Sequence, residues 1–143
     1  MVTDNKHTST AEDPAVYLSR FINHTGKNVF LTGKAGTGKT TLLRKLIKST
    51  YKKCLVVAPT GIAAINAGGV TIHSLFQLPF GTFVPVNQAP SVPGNIKLNE
   101  PFSVVKNLQM YDSKRKLLRE LELLIIDEVS MLRADWLDAI DIL

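Results

Sequence analysis

One stretch, Gly33-Lys34-Ala35-Gly36-Thr37-Gly38-Lys39-Thr40, constrains this chain more than any other: it fits G-x-x-x-x-G-K-[ST] and lies between a strand-like and a helix-like segment. Before it, Asn28-Val29-Phe30-Leu31-Thr32 is rich in β-formers and predicts a buried strand. After it, Leu42, Leu43, Leu46 and Ile47 recur at helical spacing, with Arg44, Lys45 and Lys48 largely on the other face. The loop is therefore expected to join a strand to a helix N-terminus. There, glycines let the backbone approach a polyphosphate, and unpaired N–H groups and the helix dipole meet its charge. Lys39 can reach the β and γ phosphates, and Thr40 can ligate Mg²⁺. The candidate ATP contacts are Gly33, Lys34, Ala35, Gly36, Thr37, Gly38, Lys39, Thr40 and Thr41.

A second motif lies far along the chain. Leu123-Leu124-Ile125-Ile126-Asp127-Glu128 is an apolar run ending in two carboxylates, the pattern of a central parallel strand that delivers acids at its C-terminal edge. The phosphate loop is expected at the same edge. Asp127 is then a candidate ligand for Mg²⁺ through a bound water, and Glu128 a candidate base for the water that attacks a γ-phosphate. Alone, the two acids read as a solvated strand end. Combined with the loop, they make Glu128 and Lys39 the catalytic candidates.

A chain of 143 residues with 45% apolar composition supports one core and predicts an α/β unit, with a parallel sheet flanked by helices. The formal charge of +5 permits an anionic partner but is common among proteins that bind none. The single cysteine, Cys54, excludes an intrachain disulfide and reads as a buried strand thiol in a reducing compartment. No apolar stretch approaches the length of a membrane span, and residues 1–12 carry no signal-peptide core, so a cytoplasmic protein with no membrane partner is expected.

Residues 1–12 are polar and aperiodic, a disordered tail by composition. Residues 13–143 then form the folded part. Asp13-Pro14 opens a helix striped by Tyr17, Leu18, Phe21 and Ile22 and ending at Gly26. Ala58-Pro59-Thr60-Gly61 closes a strand, and a short helix of small residues is stopped by Gly68-Gly69. Thr71 is placed to cap another short helix. Residues 78–106 carry five prolines and read as an ordered surface insertion or a floppy loop; Phe80, Phe83, Val84, Val86 and Phe102 exceed a linker's apolar content and favour partial packing or a partner-facing surface. Ser113 is expected to cap a basic helix over 114–121, and residues 134–140 an amphipathic one. No polar stop follows Ile140, which predicts the front portion of a larger protein and an incomplete domain. The basic clusters at 44–53 and 114–119 read as solvated helix faces.

The order of motifs resembles the PIF-type DNA helicases of superfamily 1, which move 5′ to 3′ on single strands. Three blocks carry the resemblance: Thr32 to Thr40; Ala58-Pro59-Thr60-Gly61-Ile62-Ala63-Ala64-Ile65-Asn66-Ala67-Gly68-Gly69 with Thr71-Ile72-His73-Ser74; and Ile125-Ile126-Asp127-Glu128-Val129-Ser130-Met131. The middle block is the discriminating one. The resemblance implies a RecA-like P-loop motor domain, ATP as substrate with Mg²⁺ as cofactor, single-stranded DNA as partner and a place in DNA repair. It further implies that Thr60 and Gly61 offer a hydroxyl and a backbone N–H to a DNA phosphate, with His73 near the strand. Nothing in these residues separates DNA from RNA. The chain departs from the family pattern in having no Gln before Gln77, where family members carry an upstream adenine-reading glutamine. The later family motifs and the arginine fingers of the remaining helicase domains are also absent. An arginine finger contributes about a thousandfold or more in related NTPases, so this segment alone is expected to hydrolyse ATP weakly or not at all. Two alternatives stand beside the helicase reading: another P-loop ATPase such as an AAA-type remodeller, and a non-catalytic nucleotide-dependent module that binds protein through the Pro-rich insertion.

Overall fold

The computed structural model describes residues 13–86, 97–106, 108 and 110–143; the expected tail over 1–12 and the middle of the insertion lie outside the described residues. The chain forms two compact units, residues 1–52 and 53–143.

The first unit holds two packed helices, α1 (Pro14–His24) and α2 (Lys39–Ser49). Asp13 caps α1 by accepting the Ala15 N–H at 2.9 Å, and Pro14 sits in the first turn, where its missing N–H costs nothing. Ile22 of α1 and Leu46 of α2 are buried. Polar contacts fasten the helix ends: Ser19 Oγ to Ser49 Oγ at 3.0 Å, Thr50 Oγ1 to Asn23 Oδ1 at 2.7 Å, and Lys52 Nζ to the Thr25 carbonyl at 2.8 Å. The strand expected over 28–32 does not form. Residues 25–34 carry no regular structure, and Val29, Phe30 and Leu31 are exposed. The described part of this unit contains no strand, so the segment has no ladder within it to take its N–H and C=O groups.

The second unit is built on a parallel sheet flanked by helices. Strand β1 (Cys54–Ala58) is followed by α3 (Gly61–Ala67), β2 (Val70–Thr71), α4 (Ile72–Phe76), β3 (Thr82–Phe83), β4 (Leu98–Asn99), α5 (Pro101–Lys106), α6 (Asp112–Arg119), β5 (Leu123–Ile126), a 3₁₀ turn (Val129–Met131) and α7 (Ala134–Asp141). The main sheet has the order β2-β1-β5, with Cys54 opposite Leu123, Val57 opposite Ile126 and Val57 opposite Val70. As the central strand, β1 carries apolar residues on consecutive positions, and Val56, Val57 and Ala58 are all buried. Its N-terminal edge is stapled to β5: the Lys53 N–H donates to the Glu122 carboxylate at 2.8 Å, and the Lys53 carbonyl accepts from Glu122 and Leu123 at 2.9 and 3.2 Å.

Turn chemistry sets the neighbouring helices. Thr60 and Thr71 cap α3 and α4 by accepting the Ala63 and Ser74 N–H groups at 3.3 and 3.2 Å. After α3, Gly69 passes so close to β1 that a Cβ there would collide with the Val56 carbonyl. Helix α6 begins at Asp112 behind an N-cap at Tyr111, two residues earlier than a Ser113 cap implies, and Lys114 Nζ donates to the Ser74 carbonyl at 2.6 Å. The described parts of the Pro-rich insertion are packed in part, with Phe80, Val86 and Phe102 exposed. Strands β3 and β4 pair in parallel, and Leu78, Phe83 and Val104 join Val57, Ile72, Leu75, Phe76 and Ala139 in one buried cluster. Trp136 packs against this cluster half-buried. Among the described residues, no helix is long and apolar enough to cross a membrane.

Candidate nucleotide site

In the first unit, residues 33–38 form an exposed turn that runs directly into α2. Gly36 and Gly38 have φ of +76° and +84°, conformations that L side chains adopt only at a cost, so the glycine spacing of the motif is a backbone requirement. Gly38 is the N-cap of α2 and makes no side-chain cap, so no side chain of the cap competes for the first N–H groups of this eleven-residue helix. Thr40 and Thr41 lie exposed in its first turn. Lys39 folds back over the loop, donating from Nζ to the carbonyls of Gly33 at 2.8 Å and Lys34 at 3.0 Å. Thr37 Oγ1 donates to the same Lys34 carbonyl at 2.8 Å. The loop therefore holds its ammonium group over its own carbonyls, a short side-chain rotation from an anion seated on the helix N-terminus.

In the second unit, Asp127 follows β5 directly. Its N–H donates to the Val57 carbonyl at 2.9 Å, continuing the ladder past the end of the strand, and its Oδ1 accepts the Glu128 N–H at 2.9 Å. These bonds hold the half-buried carboxylate at the C-terminal edge of the sheet. Glu128 is exposed and adopts φ of +51°, a left-handed conformation costly for a residue with a Cβ. Its carbonyl then opens the 3₁₀ turn by accepting the Met131 N–H at 3.0 Å. The two neighbouring carboxylates thus differ in setting, Asp127 half-buried and hydrogen-bonded and Glu128 exposed on a left-handed backbone.

The candidate strand-binding residues sit in the same unit. Thr60 and Gly61 start α3 just beyond the C-terminal end of β1, and a Cβ at exposed Gly61 would meet nothing within 4 Å. Packing among the described residues therefore does not require glycine there. His73 is half-buried, its ring edge-on to Trp136 at 4.2 Å between centroids and stacked on Phe80 at 5.9 Å. Burial holds its pKa below the ordinary imidazole value, favouring the neutral ring.

Arg133 and Asp135 belong to no motif, yet they build the densest polar contact of the unit. Arg133 grips the Asp135 carboxylate through Nε at 2.9 Å and an Nη at 2.7 Å, and Asp135 accepts the Phe83 N–H at 3.0 Å. The Arg-x-Asp spacing at a helix start was the available signal, but its partner lies 52 residues away.

The family model for PIF1-like helicases matches residues 10–143. The ATP-dependent DNA helicase PIF1 of Saccharomyces cerevisiae is 36% identical over 121 residues, covering 81% of this chain and 12% of that protein. The ATP-dependent DNA helicase Pif1 of Campylobacter jejuni is 36% identical over 116 residues, covering 79% of this chain and 24% of that protein. The chain thus spans about an eighth to a quarter of these relatives. Among solved structures, Bacteroides Pif1 bound to single-stranded DNA superposes with a TM-score of 0.69 at 46% identity, covering 89% of this chain and 25% of that one. Bacteroides Pif1 in complex with ADP-AlF4 gives 0.68 at 46% identity, with 89% and 26% covered. The α/β, RecA-like parallel-sheet fold expected from the motifs is the fold shared with these structures. With a model match across nearly its whole length, this chain belongs to the PIF1-like helicase family.

Proposed function

We propose that this chain is the nucleotide-binding part of an ATP-dependent DNA helicase, in which Mg²⁺-dependent ATP hydrolysis drives movement along a single strand. The observation that carries the reading is the phosphate loop itself: two left-handed glycines, a helix N-terminus with no side-chain cap and a lysine held over the loop by carbonyls it can release. Relatives solved with ADP-AlF4 and with single-stranded DNA support both halves of the proposal.

In this reading, Gly33 to Thr41 hold the triphosphate, and Lys39 neutralises charge that develops on the γ-phosphate. Glu128 accepts the proton of the attacking water as the new P–O bond forms; the bond to the β–γ bridging oxygen breaks, leaving ADP and inorganic phosphate. Thr40 is the loop's candidate Mg²⁺ ligand and Asp127 the strand's. Both are oxygen donors, the ligand type a hard cation selects, and Asp127 is already oriented by the Glu128 N–H. When bound, the ion would offset the negative charge of the phosphates. Thr60, Gly61 and His73 are proposed to meet the DNA backbone, where the open space at Gly61 admits a phosphate. A thiol-bearing strand without a disulfide partner suits a cytoplasmic setting.

The deciding experiment is ATP hydrolysis by the full-length protein with and without a single-stranded oligonucleotide, using Glu128→Gln as control. Stimulation by DNA that vanishes in the variant is expected. Hydrolysis indifferent to DNA would remove the helicase assignment and leave a P-loop ATPase of another kind, and no hydrolysis at all would favour the non-catalytic module.

A further inference from the structure

We infer that Arg133 and Asp135 form a latch through which the Asp127–Glu128 end of β5 sets the position of β3 in the Pro-rich insertion. The inference rests on the nucleotide reading above. It starts from a backbone group that the small sheet leaves over. In the β3–β4 ladder, the N–H groups of Thr82 and Val84 donate to the carbonyls of Lys97 and Asn99 at 3.0 and 2.9 Å, so the Phe83 N–H faces away from β4. Phe83 is only 5% exposed, and a buried N–H without a partner is costly. Its acceptor is Asp135 Oδ2 at 3.0 Å, which stands in for a third strand.

That carboxylate is held in turn by the two-point grip of Arg133, and the same guanidinium donates to Thr82 Oγ1 at 3.2 Å. One residue pair thus holds both residues of β3, one through its backbone and one through its hydroxyl. The Arg133 guanidinium also lies 5.7 Å over the Trp136 ring, which meets His73 of the proposed strand-binding block edge-on.

The link back to the acids is short and stiff. Four residues separate Glu128 from Arg133. Between them the 3₁₀ turn is closed by the Met131 N–H on the Glu128 carbonyl and the Leu132 N–H on the Val129 carbonyl, both at 3.0 Å. Few soft dihedrals remain to absorb a movement. The two-state element in this inference is Glu128, whose left-handed φ of +51° is uphill, so that relaxation to φ < 0 would redirect the turn that follows. Engaging a γ-phosphate and its water biases that choice, and the latch carries the result to β3. Arg133 and Asp135 are positioning residues here; neither touches the reacting atoms.

The test is amide hydrogen exchange at Phe83 in the full-length protein, with and without Mg²⁺ and ADP–aluminium fluoride, alongside calorimetry of nucleotide binding. Exchange at Phe83 is expected to change by about tenfold or more on binding, the scale of making or loosening one charge-assisted hydrogen bond. Asp135→Asn should abolish that nucleotide dependence while DNA-free hydrolysis stays within about twofold of the parent and stimulation by DNA is lost. Arg133→Lys, which keeps charge but loses the fork, should lie between the two. Nucleotide binding by calorimetry with unchanged Phe83 exchange overturns the latch and leaves the nucleotide site standing. Failure to bind nucleotide overturns both. If Asp135→Asn does not fold, the exchange measurement on the unsubstituted protein decides the matter.

Discussion

Adding one methyl group at either end of the α3 segment separates glycines that serve the fold from glycines left free for a partner. At Gly69 an added Cβ would meet the carbonyl oxygen, carbonyl carbon and Cβ of Val56, all fixed in the central strand, and no flexible side chain can give way. Gly69 cannot retreat cheaply either, since its N–H donates to the Ala64 carbonyl at 2.8 Å and β2 begins at the next residue. Accommodation must come from moving β1 against β2. Overpacking a core costs about 1–3 kcal/mol, and with backbone on both sides Gly69→Ala belongs at the upper end, about 3 kcal/mol. At Gly61, by contrast, a Cβ meets nothing within 4 Å, and the residue is the first of α3. Gly61→Ala gains from lower unfolded-state entropy and better helix propensity, worth about 0.5 kcal/mol at a helix end. Urea unfolding of the full-length variants, followed by a signal from this region, should show Gly69→Ala lowering the midpoint and Gly61→Ala holding or raising it. Single-strand affinity should move the opposite way for Gly61→Ala, falling while the fold is intact, because the methyl occupies the space assigned to a phosphate. Gly69→Ala within about 0.5 kcal/mol of the parent would refute the packing argument. Undiminished DNA affinity in Gly61→Ala would refute the assignment of Gly61.

Three further outcomes are expected. Lys39→Ala removes the ammonium now shared between the Gly33 and Lys34 carbonyls and should weaken ATP binding by about 2–3 kcal/mol, roughly 30- to 150-fold in Kd by calorimetry. Glu128→Gln should retain ATP binding while steady-state turnover falls by about 10²- to 10⁴-fold, the range of a lost general base. Because burial lowers the His73 pKa, the unfolded chain takes up this proton at higher pH than the folded one. Stability from this group is therefore fully present above the unfolded value of 6.5 and is lost as pH falls through the lower folded pKa. His73→Phe should flatten that part of the stability–pH curve, read from denaturation midpoints between pH 5 and about 7.5.

What was legible in the sequence was what one short segment determines by itself. The glycine-rich loop leading into a helix could be read from its spacing, and Thr71 announces a helix start because its hydroxyl serves an N–H three residues on. The apolar run before Asp127 could be read as a parallel strand, but not its place: among the described residues it lies at the edge of the sheet, beside the central β1, with only Ile125 buried. What depends on a partner was not legible. Residues 28–32 have strand composition, but a strand is a pairing, and β-propensity says nothing of who supplies the ladder. Likewise, nothing in Phe83 discloses that its N–H needs an acceptor from α7, and nothing in Arg133-x-Asp135 distinguishes a local surface ion pair from a clamp on a strand 52 residues earlier. The glycines sharpen the point. Gly61 and Gly69 bracket one short helix and look alike in the sequence, yet one abuts a backbone carbonyl and the other open space. For Gly69 the reason for glycine lies inside the protein. For Gly61 the fold supplies none, and a residue whose identity its own packing does not demand is where a ligand's demand is to be sought.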